Sequence, residues 1–240
     1  MLIYSDGTVF NAPVKTFVNT VNCSGVMGAG IALEFKLRYP EMFSDYIDRC
    51  NKKNIVLGKP QIYEYTSDIW IMNFPTKGNW RFPSKIQWIE QGLKYFVDNY
   101  KARDIESIAF PKLGTSNGGL EWEDVKPLME TYLSDLNINV YICLDEKQEA
   151  EGSEKRMLDI LNNMTLDDFI NKVKLTRKQA EVVFSHIPYL RFWHISKIDK
   201  IGKKSYETIF KYFYNKVNQS NKMSSNNDEW VQLSIFDLKI

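Results

Sequence analysis

Between Phe17 and Arg38 the chain reads FVNTVNCSGVMGAGIALEFKLR, an order of residues that few local structures accept. Phe17 to Val21 is an apolar, β-branched run, the pattern of a buried strand. Asn19 and Asn22 place amides toward its end, and Gly25, Gly28 and Gly30 follow. From Ile31 to Arg38 the spacing turns helical, with Ile31, Leu33, Phe35 and Leu37 set among polar residues. Strand, glycine-rich loop and helix N-terminus together form a cradle for phosphate. Glycines let backbone N–H groups approach an anion, and the helix dipole adds partial positive charge. The spacing is neither GxGxxG with a following ribose-binding acid nor GxxxxGK[ST], so dinucleotide and P-loop motifs are not supported. From this loop alone, a tight turn without ligand stays open beside the binding reading.

The chain around this stretch alternates strands with helices. Met1 to Tyr4 reads as a strand, and Thr8 to Phe10 as a second short one. Strands are also expected over Gln61–Tyr65, Asp68–Asn73, Ser107–Phe110 and Asn139–Leu144. Helices are expected over Glu41–Cys50, from Lys85 to about Lys101 with Ser84 as its cap, and over Trp122–Leu136. Such alternation implies a mostly parallel sheet covered on both faces, with ligands at the carboxyl ends of its strands. Three unusual loops follow strands: 22–30, the Pro- and Gly-rich 73–83 around Lys77, and the glycine-rich 111–119. They are expected to converge on one edge and share a pocket.

Charge divides the chain differently. Residues 1–154 hold 16 Lys and Arg against 21 Asp and Glu, a net of −5; residues 155–222 hold 14 against 6, a net of +8. The polar stretch 145–155 reads as a linker, leaving a domain over 1–144 and a basic, mostly helical module over 156–218. Within that module, Ile198 to Gly202 followed by a helix loosely resembles a helix-hairpin-helix, with Lys200 in place of its first glycine. Basic and aromatic residues there suit contacts to a nucleic-acid backbone, and a helical packing domain with a solvated basic surface stays open beside it. Residues 219–240 read as a flexible tail ending in an apolar docking segment. There Gln232, Leu233, Ile235 and Phe236 resemble the peptide that tethers proteins to the bacterial DNA sliding clamp. Cys23, Cys50 and Cys143 are odd in number and far apart, which points to the cytoplasm rather than to a disulfide framework. No metal site, cofactor or membrane-spanning segment is expected.

Three separated motifs carry a resemblance: VNTVNCSGVMGAGIALEFKLRYPEMF, IMNFPTKGNWR and FPKLGTSNGGLEWEDVKPL. Together they resemble the macrodomain family over roughly residues 2–144, nearest to its DarG-type DNA ADP-ribosyl glycohydrolase branch. The resemblance implies a three-layer α/β/α macrodomain with a mixed, mostly parallel sheet that binds ADP-ribose. It implies that Gly28, Ala29, Gly30 and Ile31 lie along the diphosphate and distal ribose. It also implies that Gly114, Thr115, Ser116, Asn117 and Gly118 close over the phosphates, and that Asn22 contacts the distal ribose hydroxyls; Asn19 is counted with it among the substrate-binding residues. Thr8 and Val9 fall at the adenine, Thr76 and Lys77 at the sugar to be released, and Lys77 is the expected catalytic residue. Trp80 and Arg81 are placed to stack on a nucleobase and pair with its phosphate, with packing of Trp80 under the loop as the alternative.

The implied activity is removal of ADP-ribose from thymidine in single-stranded DNA, an antitoxin or repair function in a bacterium or phage, with a DarT-like toxin as partner. A non-catalytic ADP-ribose reader, and a hydrolase of small ADP-ribose derivatives or ADP-ribosylated protein, are the alternatives. Lys77 would act as nucleophile, as general base, or by positioning the leaving group. Three places depart from family patterns. Thr8 stands where many macrodomains carry an acid for the adenine amine, so that contact is either lost or met by backbone groups around Val9. Ala29 replaces a lysine. Gly118 stands where a related glycohydrolase pairs its lysine with an aspartate.

Overall fold

The computed structural model describes the backbone of residues 1–236 and side chains through Gln219. It contains two compact units that meet in sequence between Lys147 and Gln148.

The first unit is built on one six-stranded sheet. Its strands are β1 (Leu2–Ser5), β2 (Thr16–Asn22), β3 (Gln61–Glu64), β4 (Trp70–Lys77), β5 (Ser107–Pro111) and β6 (Asn139–Cys143), in the order β1-β6-β5-β2-β4-β3. All neighbours are parallel except the edge strand β3, which runs antiparallel to β4. The helices are α1 (Gly30–Arg38), α2 (Pro40–Asn51), α3 (Ile86–Asn99) and α4 (Trp122–Leu133).

Side-chain alternation sends each central strand's residues to two cores. Phe17, Val21, Ile71 and Ala109 pack with Phe35 of α1 and Met42 and Tyr46 of α2. Val18, Met72, Phe74, Ile108 and Phe110 pack on the other face with Ile89, Leu93 and Phe96 of α3 and Val125 and Met129 of α4. The result is the three-layer α/β/α arrangement with a mixed, mostly parallel sheet. Contact between α3 and β4 is close: a Cβ added to Gly92 would lie 2.3 Å from Cζ of Phe74.

Three local expectations give way. Strand β4 runs on through Lys77, so 73–77 is paired strand rather than loop. Thr8 to Phe10 is not a strand; Val9–Asn11 forms a 3-10 turn, with the Asn11 and Ala12 N–H groups donating to the carbonyls of Thr8 and Val9. Ser84 is not the cap of α3. Lys85 holds the N-cap position, and Ser84 is buried instead.

The second unit contains α5 (Gly152–Asn162), α6 (Leu166–Asn171), α7 (Arg177–Phe184), a 3-10 segment Phe192–Lys197, and α8 (Lys203–Phe236). Helix α5 thus begins inside the stretch expected to be a linker. Capping boxes at Thr165 with Asp168 and at Thr176 with Gln179 start α6 and α7. The buried Glu154 carboxylate accepts from Arg191 Nε at 3.2 Å and from the Phe192 N–H at 2.7 Å. Phe192 stacks edge-on against Phe210, with ring centroids 5.3 Å apart. Lys200 adopts φ +70° in the turn closed by the Ile201 N–H on the Ile198 carbonyl, at the place of a hairpin glycine. The clamp-like residues Gln232, Leu233, Ile235 and Phe236 lie outside the residues whose side chains are described. Among the described residues no helix is long and apolar enough to cross a membrane.

Candidate active site

Three central strands, β5, β2 and β4, are neighbours in the sheet, and the three unusual loops leave their carboxyl ends. The ends are therefore close before any loop contact forms, since adjacent strands lie about 4.8 Å apart.

Asn22 ends β2 and organises the first loop from within. Its Oδ1 accepts from the Ser24 N–H at 3.0 Å and the Ser24 hydroxyl at 2.8 Å, and its Nδ2 donates to the Val26 carbonyl at 2.6 Å. The Tyr46 hydroxyl on α2 donates to the Asn22 carbonyl at 2.6 Å. Asn19 is wholly buried, and its Nδ2 donates to Oδ1 of Asn73 across the β2–β4 pair at 2.9 Å. Both asparagines thus support the loop from beneath. Gly25 and Gly30 take φ +77° and +56°, which side chains with a Cβ adopt only under strain. Ala29 is an exposed N-cap with no side chain able to cap α1, and the first turn of α1 holds no acidic residue. The N–H groups of Gly30 and Ile31 therefore sit at the positive end of an uncompensated dipole, a setting for an anion.

Strand β4 carries Lys77 to the same edge. Thr76 is buried, and its hydroxyl donates to the Val21 carbonyl at 3.4 Å, so it serves the sheet. The β2–β4 register shifts by one residue here: Val21 pairs with Pro75, but Asn22 pairs with Lys77. The Cys23 N–H then donates to both the Lys77 and Gly78 carbonyls at 3.0 Å, tying the first and second loops together. The Lys77 ammonium donates to the backbone carbonyl of Asn117 in the third loop. Partial burial lowers the lysine's pKa from its ordinary value, because the charged form loses hydration.

The third loop is a chain of tight turns. Thr115 Oγ1 donates to the Lys112 carbonyl at 3.0 Å, Ser116 adopts φ +48°, and the Gly118 N–H donates to the Thr115 carbonyl at 2.7 Å. A Cβ at Gly114 would lie 2.8 Å from Cδ1 of Leu120. Gly30 and Asn117 bring the first and third loops together, since a Cβ on Gly30 would meet Nδ2 of Asn117 at 2.6 Å. Ser84 closes the ring from the second loop: its N–H donates to the Gly118 carbonyl at 2.8 Å. Its hydroxyl is buried without a partner, 2.8 Å from where a Gly118 Cβ would stand.

Of the other sequence-derived candidates, Gly28 lies in the first loop between buried Met27 and exposed Ala29, while Trp80 and Arg81 are exposed on the rim. Val9 is buried in the core, so it has only backbone to offer a ligand, and Thr8 precedes it as the N-cap of the 3-10 turn. Sequence reasoning missed two supports. Tyr46 carries only the signal of helical spacing with Met42, and the approach of Ser84 to Gly118 has no local signal. Among the described residues, no group of three or more His, Cys, Asp and Glu is placed to hold a metal ion.

The Macro domain family model matches residues 18–129. A DNA ADP-ribosyl glycohydrolase of Mycobacterium tuberculosis is 40% identical over 161 residues, covering 64% of this chain and 46% of that protein. One from Thermus aquaticus is 40% identical over 139 residues, covering 57% of this chain and 39% of that protein. The chain thus spans less than half the length of these curated relatives. Among solved structures, the macrodomain of Mycobacterium tuberculosis DarG aligns with 41% identity and a TM-score of 0.58, over 60% of this chain and 97% of that one. Thermosipho africanus DarTG in complex with ADP-ribose aligns with 37% identity and a TM-score of 0.58, over 64% of this chain and 44% of that one. With its sheet order, its glycine loops and these likenesses in agreement, the chain belongs to the macrodomain family and is closely related to its DarG-type branch.

Proposed function

We propose that the first unit is an ADP-ribosyl glycohydrolase that releases ADP-ribose from thymidine in DNA, with Lys77 as its catalytic residue. The observation that supports this most is the position of the Lys77 ammonium, held between two glycine loops at the carboxyl end of the sheet. A diphosphate lying along Gly28 to Ile31 and Gly114 to Gly118 meets backbone N–H groups and a helix N-terminus. The distal ribose then lies toward Lys77. A glycosidic bond at the anomeric carbon breaks through a cation-like transition state, so an amine beside that carbon, its pKa lowered by burial, serves as base or nucleophile or positions the leaving group. Adenine recognition falls to the backbone around Val9.

The experiment is to incubate the protein with thymidine-ADP-ribosylated single-stranded oligonucleotide and with ADP-ribosylated protein, side by side. ADP-ribose release from the DNA, abolished by Lys77→Ala, is the expected result. Tight ADP-ribose binding without release from either substrate would instead favour a reader. Gly118 and Thr8 motivate that second reading: Gly118 offers no carboxylate to pair with the lysine, and Thr8 offers none to the adenine amine.

Partners follow from the same reading. A DarT-like toxin is the source of the modified base. The basic 156–218 module brings the enzyme to DNA, and residues 232–236 tether it to the sliding clamp. Fluorescence anisotropy with labelled DNA and with clamp protein tests the last two.

A further inference from the structure

The rim of the site carries a surface that the proposed hydrolysis of one glycosidic bond does not require. Between Lys77 and Ser84 the chain is pinned at both ends, by the Cys23 N–H on the Lys77 and Gly78 carbonyls and by the Ser84 N–H on the Gly118 carbonyl. The Trp80 N–H donates to Oγ of Ser24 at 3.3 Å, so the middle is also fixed to the first loop. Yet this anchored segment turns large apolar side chains outward: Trp80 is 48% exposed and Phe82 64%. Exposed large aromatics in a fixed backbone mark a contact surface more than a packing remainder. The Arg81 guanidinium stands 5.0 Å from the Trp80 ring centroid. Lys85 is exposed next to them, and no acidic residue occurs from Ile69 to Ile89.

We infer that Trp80, Phe82, Arg81 and Lys85 form a shelf for single-stranded DNA that continues from the modified nucleotide. The inference rests on the proposed glycohydrolase reading and adds a second subsite to it. Its chemistry is specific to a polymer of nucleotides. Bases stack on an indole and a phenyl ring, and the phosphates between them meet a guanidinium and an ammonium. A duplex keeps its bases stacked on one another and offers no faces to such a shelf. An acid-free segment with three cations, Lys77, Arg81 and Lys85, complements a polyanion. The shelf lies beside Lys77, where the strand leaves the scissile bond.

The test compares two substrates in the full chain: ADP-ribosylated thymidine as a free nucleoside, and the same nucleoside inside a short single strand. The readout is the ratio of kcat/KM for oligonucleotide to nucleoside. The wild-type protein is expected to prefer the oligonucleotide, and Trp80→Ala/Phe82→Ala to lower that ratio about tenfold to a hundredfold, the loss expected when stacked bases lose their aromatic platform. Trp80→Phe/Phe82→Tyr should retain it. A ratio unchanged in the double alanine variant overturns the shelf. If the wild type releases ADP-ribose from neither substrate, the hydrolase reading fails, and the shelf is judged by affinity alone. Tighter binding of the modified oligonucleotide than of free ADP-ribose, lost in the double variant, then supports it. Equal binding of the two, or tighter binding of an ADP-ribosylated peptide, overturns it.

Discussion

The side chain of Lys77 and the main chain of Asn117 meet across the mouth of the site, ammonium to carbonyl. The acceptor is neutral, so the lysine has a hydrogen-bond partner there but no carboxylate to hold its proton. Burial, which strips hydration from the charged form, lowers its pKa.

The proposed role of Lys77 predicts that Lys77→Ala lowers kcat for ADP-ribose release by about a hundredfold or more, the range of a lost acid–base group. ADP-ribose affinity, measured by calorimetry, should move only a few-fold. Lys77→Arg should not restore turnover, because a guanidinium stays protonated throughout the accessible range.

A pH profile follows from the same group. An amine that acts unprotonated gains activity as pH rises through its own pKa. Since that pKa lies below the ordinary 10.5 in the free protein, the rise in kcat/KM should be centred below 10.5 and flatten above the midpoint. A profile that falls over the same interval would show that the charged form does the work.

Ser84 and Gly118 should be energetically coupled. Gly118→Ala places a methyl 2.8 Å from the Ser84 hydroxyl and is expected to cost ~1–3 kcal/mol of stability as overpacking. Ser84→Ala removes a buried hydroxyl without a partner, and is expected to be neutral or stabilising. In the double variant the cost of Gly118→Ala should shrink. Urea denaturation of the four proteins measures the cycle.

Tyr46→Phe deletes the hydroxyl that donates to the Asn22 carbonyl at 2.6 Å and leaves that carbonyl short of a partner. A loss of ~1–3 kcal/mol in stability is expected, together with weaker ADP-ribose binding, because the first loop is built on Asn22. Thermal melts with and without ADP-ribose separate the two effects.

The backbone of the site was legible because glycines and strand ends carry their own signals. Gly25, Gly30 and Gly114 all take positive φ, and the loops that leave β2, β4 and β5 leave neighbouring strands, although β4 runs on through Lys77 where a loop was expected from residue 73. The resemblance, rather than any pattern in the residues, singled out Lys77. Local signals failed where tertiary packing decides. Ser84 has the composition of a helix cap, yet it turns inward against Gly118. Three residues at Thr8 to Phe10 are too few to distinguish a strand from a 3-10 turn by periodicity. Asn22, which the resemblance assigns to the distal ribose, also ties its own loop together through both ends of its amide, a role with no local signal.

The one-residue slip between β2 and β4 sets which face of the strand end Lys77 occupies. Deleting Thr76 would restore even pairing and draw Lys77 into the slot that Thr76 now fills, 4% exposed. The mouth would lose its amine, and the interior would receive a charge with no counterion, a change the sheet has no cheap way to absorb. An irregularity in strand parity, invisible in composition, therefore decides whether this macrodomain edge presents an amine at all.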